Sequence, residues 1–315
     1  MKPDYLSSLP PVPEPDFRKN AETFLDFASA FDLTDPKIDL KLRHTFHVVD
    51  ACFYLAQALK LSDEEIYIAC LIGLLHDIGR FEQLTRFHSF DDSLIPHAKL
   101  SVEFLFPDGH IKDYLAPKYE AWEPVIEAAI EYHGVFQIPD GLTENVLLFA
   151  RLIRDADKLD NFRVKATDSM EAMLDVTETD LARESLSNYA YGTFMKKEPL
   201  INALRETRPD MWLSYVAYLF DLNFSASFVW IRESGYMEKI LRRYAPIDPE
   251  DQKRWQKISD LTRSYIQENC ELYENFPARP ERLRIFTVPL PIGFLHAPHM
   301  ILTYSCQNIP WNIGF

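Results

Sequence analysis

Leu71-Ile72-Gly73-Leu74-Leu75-His76-Asp77-Ile78-Gly79-Arg80 runs from an apolar stretch into a histidine, an aspartate and a glycine. Just upstream, Ser62-Asp63-Glu64-Glu65 has the side chains of a capping box, a hydroxyl at the helix start and a carboxylate three residues on. Together they predict a helix that opens at Ser62, passes through Ile66, Ala69, Cys70 and Leu74 and stops near Gly79, with His76 and Asp77 in its last turn. Apolar residues recur at spacings of three and four through most of residues 17–270, and no segment alternates with period two. The fold class is all-α.

The same periodicity predicts helices over residues 40–59, 96–106 and 122–133, the last closed by Gly134. Another starts after Thr143 and carries Val146, Ala150, Ile153 and Asp157 on one stripe. Residues 164–270 continue in longer helices, among them 211–220 and 252–266. The expected organisation is an extended, proline-rich arm over 1–22, a core over 23–165, a helical extension packed on it over 166–270, and an irregular proline-containing tail over 271–315. Trp212, Tyr215, Phe220, Phe224, Phe228 and Trp230 in the extension read first as core.

The chain has 315 residues, with 33 Lys and Arg against 48 Asp and Glu, a formal charge of −15. That field repels nucleic acid and anionic membrane, so neither is expected as a partner, and a phosphorylated ligand needs local cations. Cys52, Cys70, Cys270 and Cys306 lie far apart with no CxxC, which fits a reducing, cytoplasmic setting. The N-terminal segment lacks the basic-then-apolar pattern of a secretory signal. From Ile285 to Phe315 there is no charged Asp, Glu, Lys or Arg, but Pro289, Pro291, Pro298 and Pro310 interrupt any membrane-spanning helix there.

Chemistry concentrates at a few positions. His44 shares a helical stripe with Val48, Ala51 and Leu55, and His133 follows Ile126 and Ile130. Asp157 on a core-facing stripe needs a cation, because an unpaired buried carboxylate is costly. Taken singly, each histidine reads as a hydrogen-bonded core residue. The adjacent pair His76-Asp77 at a helix end changes that, since imidazole and carboxylate together suit a divalent metal with positions left for water and substrate.

In this arrangement the chain resembles the HD-domain metal-dependent phosphohydrolases, defined by the ordered set H…HD…D on helices. Arg43-His44-Thr45-Phe46-His47-Val48, Leu75-His76-Asp77-Ile78-Gly79-Arg80 and Arg154-Asp155-Ala156-Asp157-Lys158-Leu159-Asp160 carry the likeness, over roughly residues 40–165. It implies an HD helical bundle with a C-terminal helical extension and a metal held by His44, His76, Asp77 and Asp157. His44 rather than His47 fits the first position, because it precedes Thr45 and stands four residues before Val48. Some branches add histidines between the doublet and the distal aspartate. His97 and His133 would then bind a second ion with Asp77; with a single ion they would contact the phosphate or donate protons.

The resemblance implies an enzyme with one or two divalent ions (Mn, Fe, Zn, Co, Ni or Mg) and a catalytic role for Asp77, His97 and His133. Its substrate would be a small phosphate ester, a nucleotide foremost, attacked by a metal-activated water. Arg80, Arg154 and Lys158 are candidate phosphate contacts, with a solvated helix face as the alternative. Arg86, His88 and Asp92, in or beside an expected loop, are further substrate candidates. Asp155 and Asp160 are expected to orient ligands or pair with Lys158 and Arg163. A di-iron oxygenase using the same ligands and a catalytically silent nucleotide sensor are the competing readings. The sequence contains no Gly-Tyr-Pro triplet of the cyclic-dinucleotide phosphodiesterases; Gly235-Tyr236-Met237 departs from it.

Overall fold

The computed structural model describes residues 5–92, 95–174 and 176–275, and all of them belong to one compact unit. Among these residues every regular element is helical, as the periodicity predicts. The first part comprises α1 (Asp16–Ala28), α2 (Pro36–Ala58), α3 (Asp63–Leu75), α4 (Ile78–Phe87), α5 (His97–Leu105), α6 (Glu123–Tyr132) and α7 (Glu144–Thr167). The second comprises α8 (Met170–Leu174), α9 (Glu178–Arg183), α10 (Asn188–Met195), α11 (Arg208–Val216), α12 (Ser225–Ser234), α13 (Tyr236–Arg243) and α14 (Pro249–Asn275).

Helix α3 lies at the centre. Its residues from Ile66 to Leu75 are all buried, as expected for a helix that is apolar on every side. The capping box forms as read: the Ser62 hydroxyl accepts from Glu65 N–H and the Glu65 carboxylate accepts from Ser62 N–H. Helices α2 and α7 pack against α3 and each other, α4 packs on α5, and α6 bridges α5 and α7. Val48, Val49, Cys52 and Leu55 of α2, Leu71 and Leu74 of α3, and Leu152 and Ile153 of α7 are all buried in this interior. Each such buried side chain is worth about 1.5–3 kcal/mol relative to exposure.

The helix start points differ from the sequence expectation where capping decides them. Helix α2 begins at Pro36, with the Asp35 carboxylate accepting from Lys37 N–H, four residues earlier than periodicity alone places it. Helix α1 opens at Asp16, inside the segment expected as an extended arm. Helix α14 runs to Asn275, past the expected start of the irregular tail at 271, whose remainder lies outside the described residues.

The larger correction concerns Gly79. It does not end α3, which stops at Leu75; the chain breaks at Asp77 (φ −106°, ψ 15°) and restarts as α4, a helix absent from the set that periodicity predicts. A Cβ at Gly79 would lie 2.4 Å from Ser101 N and 2.7 Å from His97 O, so the glycine is there to let α4 lie against α5. Gly134 likewise has no left-handed backbone. A Cβ there would stand 3.4 Å from His97 Cε1, which places this glycine at the end of α6 as clearance for a site histidine.

The extension contributes its own apolar surface, with Trp212, Phe220, Phe224 and Phe228 buried as expected for core; Tyr215 and Trp230 are only half-buried. It is fastened to α7 by Asp155. That carboxylate accepts from the N–H groups of Asn223 and Phe224, the Asn223 amide and the Ser227 hydroxyl at the start of α12. No helix among the described residues is long and apolar enough to cross a membrane.

Candidate metal centre

The break between α3 and α4 sets the site. Asp77 occupies the N-cap position of α4, yet its side chain makes no capping bond, so its carboxylate is left for tertiary partners. Helix α2 brings His44 from one side and α7 brings Asp157 from another. His44 Nε2 lies 3.1 Å from Asp157 Oδ1 and 3.6 Å from Asp77 Oδ2; His76 Nε2 lies 3.6 Å from Asp77 Oδ2 and 4.0 Å from Asp157 Oδ1. All four residues expected as ligands therefore converge.

The other oxygen of Asp77 faces a second cluster. Oδ1 is 3.1 Å from His97 Nε2, at the start of α5, and 3.7 Å from His133 Nε2, at the end of α6. Asp77 thus belongs to two buried groups of potential metal ligands, His44–His76–Asp77 and Asp77–His97–His133, with one oxygen turned to each.

The imidazole tautomers are set by contacts on the far nitrogens. Asp160 Oδ2 takes His44 Nδ1 at 2.6 Å, the Gly73 carbonyl takes His76 Nδ1 at 2.8 Å, and the Ile130 carbonyl takes His133 Nδ1 at 2.6 Å. Asp92 Oδ1 takes His97 Nδ1 at 2.8 Å. In its neutral form each ring then presents Nε2 as a lone pair to the cluster, the form a metal requires, and His97 Nε2 and His133 Nε2 stand 2.8 Å apart. His44 Nε2, His76 Nε2 and Asp77 Oδ1 are buried without a hydrogen-bond partner, although such atoms normally find one. Two of these orphaned acceptors, His44 Nε2 and His76 Nε2, stand on the Oδ2 side of Asp77 and the third, Oδ1, on the side of His97 and His133, so unpartnered acceptors on both sides of the carboxylate fit bound cations.

Charge follows the same pattern. Burial drives the His76 imidazolium down to a pKa of about 3, and burial also lowers His133. Burial and Lys41 oppose the charged form of His44 too, but the adjacent carboxylates of Asp157 and Asp160 raise it above its ordinary value. Burial alone would raise Asp77; Lys41, His76 and His97 outweigh it and hold the carboxyl well below its usual range.

A cavity of about 650 Å³ opens on this cluster. Its lining includes the polar side chains of Lys41, Asp77, Arg80, Asp92, Asp157 and Lys158 and the apolar side chains of Val135, Phe136, Leu200 and Ile201. Asp157 is not the buried carboxylate expected: its side chain is 21% exposed because it faces the cavity, and Asn161 Nδ2 donates to it at 2.9 Å. The fully buried aspartate on that stretch is Asp155, which neither orients a ligand nor pairs with Lys158 or Arg163 but caps α12. Asp160 does what was expected of it, holding His44 and pairing with Arg163.

The candidate substrate contacts divide. Arg80 lines the cavity but is held by both oxygens of Asp92, by Gln83 Oε1 and by the Phe90 carbonyl. Asp92 is engaged with Arg80, Gln83 and His97, so it serves ligand geometry rather than reaching out to substrate. Arg154 donates to the carbonyls of Tyr132, His133, Val135 and Phe136 and to Asp221, clamping the turn after α6. Lys158 pairs with Asp221 at 2.8 Å. Arg86 pairs with Glu82 one turn back, and His88 caps α4 in a left-handed conformation (φ 52°); neither lines the cavity. His47 is exposed, 3.9 Å from Asp50, and stands apart from the cluster.

Two participants were not singled out from sequence. Lys41, one turn before His44 on α2, places Nζ 2.5 Å from Asp77 Oδ2. The spacing of three from His44 was a usable signal. Asp221, from the extension, neutralises Arg154 and Lys158, and nothing local in the sequence marks it.

Residues 42–161 match the family model described as HD domain, so this segment, which holds the His44, His76–Asp77 and Asp157 positions, is an HD domain. No curated protein and no solved structure matches the chain.

Proposed function

We propose that this chain, with its HD domain as the starting point, is a metal-dependent phosphohydrolase, a phosphomonoesterase or phosphodiesterase acting on a nucleotide or a similar small phosphate ester. The observation that carries the reading is the division of Asp77, one oxygen toward His44 and His76 and the other toward His97 and His133, with the facing atoms His44 Nε2, His76 Nε2 and Asp77 Oδ1 unpartnered. Such an arrangement would let His44, His76, Asp77 and Asp157 hold one divalent ion, and His97 and His133 with Asp77 hold a second. A divalent ion held there supplies Lewis acidity and brings the pKa of bound water toward about 7.

The chain's own residues supply orientation and charge. Asp160, Gly73, Asp92 and Ile130 fix the four imidazoles through their outer nitrogens. The cavity wall carries four cations, Lys41, Arg80, Arg154 and Lys158, against four carboxylates, Asp77, Asp92, Asp157 and Asp221. Being charge-balanced, it lacks the excess positive charge that a phosphate dianion requires, and divalent ions restore that excess. Phe136, 55% exposed, and Ile201, 42% exposed, stand at the rim and suit the organic part of an ester.

The test is elemental analysis of protein purified without added metal, together with turnover of a panel of nucleotides, dinucleotides and small phosphate esters. His76→Ala and Asp77→Ala are expected to lose bound metal and to reduce turnover by at least about 100-fold. Unchanged metal content and turnover in both variants would overturn the reading. Oxygen consumption by iron-loaded protein with no ester hydrolysis would favour the oxygenase instead.

A further inference from the structure

We propose that Lys41 is a substrate-binding residue, the ammonium that contacts the phosphoryl oxygens of the ester; this rests on the phosphohydrolase reading. Lys41 lies on the cavity wall with its side chain 12% exposed, one helical turn from His44. Its Nζ is 2.5 Å from Asp77 Oδ2, the oxygen that also stands 3.6 Å from His44 Nε2 and 3.6 Å from His76 Nε2.

The other cavity cations are committed elsewhere. Arg154 is spent on the turn after α6 and on Asp221, Lys158 on Asp221, and Arg80 on Asp92, Gln83 and the Phe90 carbonyl. Freeing any of them breaks a contact that holds the fold or orients His97. Lys41 differs, because among the described residues its ammonium donates one hydrogen bond, to Asp77, and otherwise stands 5.7 Å from the centre of the Phe90 ring.

A carboxylate oxygen shared between an ammonium and a divalent ion serves the ammonium less well, and the two cations repel at this range. The four-carbon stem lets the ammonium turn without moving the backbone. A phosphoryl group entering the cavity gives the displaced charge a new partner at the place where negative charge develops during transfer. Lys41 thereby has opposite effects on the two ligands of the site, competing with the metal and assisting the phosphate.

The experiment uses the full chain with Lys41→Met, Lys41→Gln and Lys41→Arg, folding being checked by circular dichroism. Calorimetry would measure Mn²⁺ binding to metal-free protein and inorganic phosphate binding to the Mn²⁺-loaded protein. In Lys41→Met and Lys41→Gln, phosphate affinity should fall by about 100-fold, while Mn²⁺ binds several-fold more tightly; Lys41→Arg should recover most of the phosphate affinity. A purely structural Lys41 would weaken both ligands together, and that result, or phosphate affinity within about threefold of wild type in the neutral variants, overturns the proposal. If wild type binds phosphate through Lys41 but hydrolyses no ester in the panel, the subsite stands and the hydrolase reading falls. If wild type hydrolyses an ester in the panel but binds no phosphate, the Lys41 subsite falls and the hydrolase reading stands.

Discussion

His76 and His44 sit side by side with opposite electrostatic demands. Burial disfavours the charged His76, with a folded value near 3, whereas Asp157 and Asp160 favour the charged His44. For His76 the folded pKa is depressed below the unfolded value of about 6.5. As pH falls below that value the unfolded chain takes up a proton that the folded chain refuses, so stability is lost from about pH 6.5 down toward pH 3, by at most about 1.4 kcal/mol per pH unit. Metal-free His76→Gln should lose less stability than wild type across this window. Parallel urea-denaturation curves for the two proteins would contradict it. For His44 the sign is reversed: its raised value contributes stability below about pH 6.5, lost as pH rises through the folded value. The difference between wild type and the His76 variant isolates the first effect.

Helix α4 exists as a separate element because two local features agree. The backbone breaks at Asp77, and Gly79 permits α4 to approach α5 so closely that Ser101 Oγ accepts from Gly79 N–H at 3.0 Å and donates to the His76 carbonyl at 2.9 Å. This contact fixes the start of α5, and therefore His97, relative to the HD doublet. Gly79→Ala forces its Cβ against the backbone of α5, at Ser101 N and His97 O. Overpacking of this kind costs typically about 1–3 kcal/mol. Thermal denaturation should show the loss, and metal titration should show weaker binding at the His97–His133 side. A variant with wild-type stability would mean that α4 and α5 separate freely.

The cavity is completed by parts distant in sequence. Lys41 and the segment 42–161 supply one part of its lining, and the stretch around Pro199–Ala203, with Ser214, Tyr218 and Asp221, supplies the rest. The extension is anchored through Asp155 to the helix that bears Asp157, so its position is coupled to the site. Phe136→Ala should raise KM for a nucleoside monophosphate by about 10-fold, in keeping with the loss of one aromatic contact, and leave turnover of ribose 5-phosphate unchanged. An equal effect on both esters would remove Phe136 from recognition of the organic moiety.

The all-helical class, the capping box at Ser62 and the positions His44, His76, Asp77 and Asp157 were legible in the sequence, because helical periodicity, cap chemistry and a spaced ligand set are written locally. His97 and His133 were legible only as candidates, since their spacing from Asp77 permits a shared site without requiring one. Only the tertiary structure turned one Asp77 oxygen toward each histidine pair, exposed Asp157 to a cavity, and buried Asp155 under α12 in its place. It also paired Arg154 and Lys158, candidate phosphate contacts in the sequence, with Asp221, and drew Lys41 to Asp77. Periodicity reports which face of a helix is apolar. Which oxygen meets which nitrogen, and which cation is already neutralised, depends on contacts between residues as far apart as Arg154 and Asp221, and these exist only once the helices have packed.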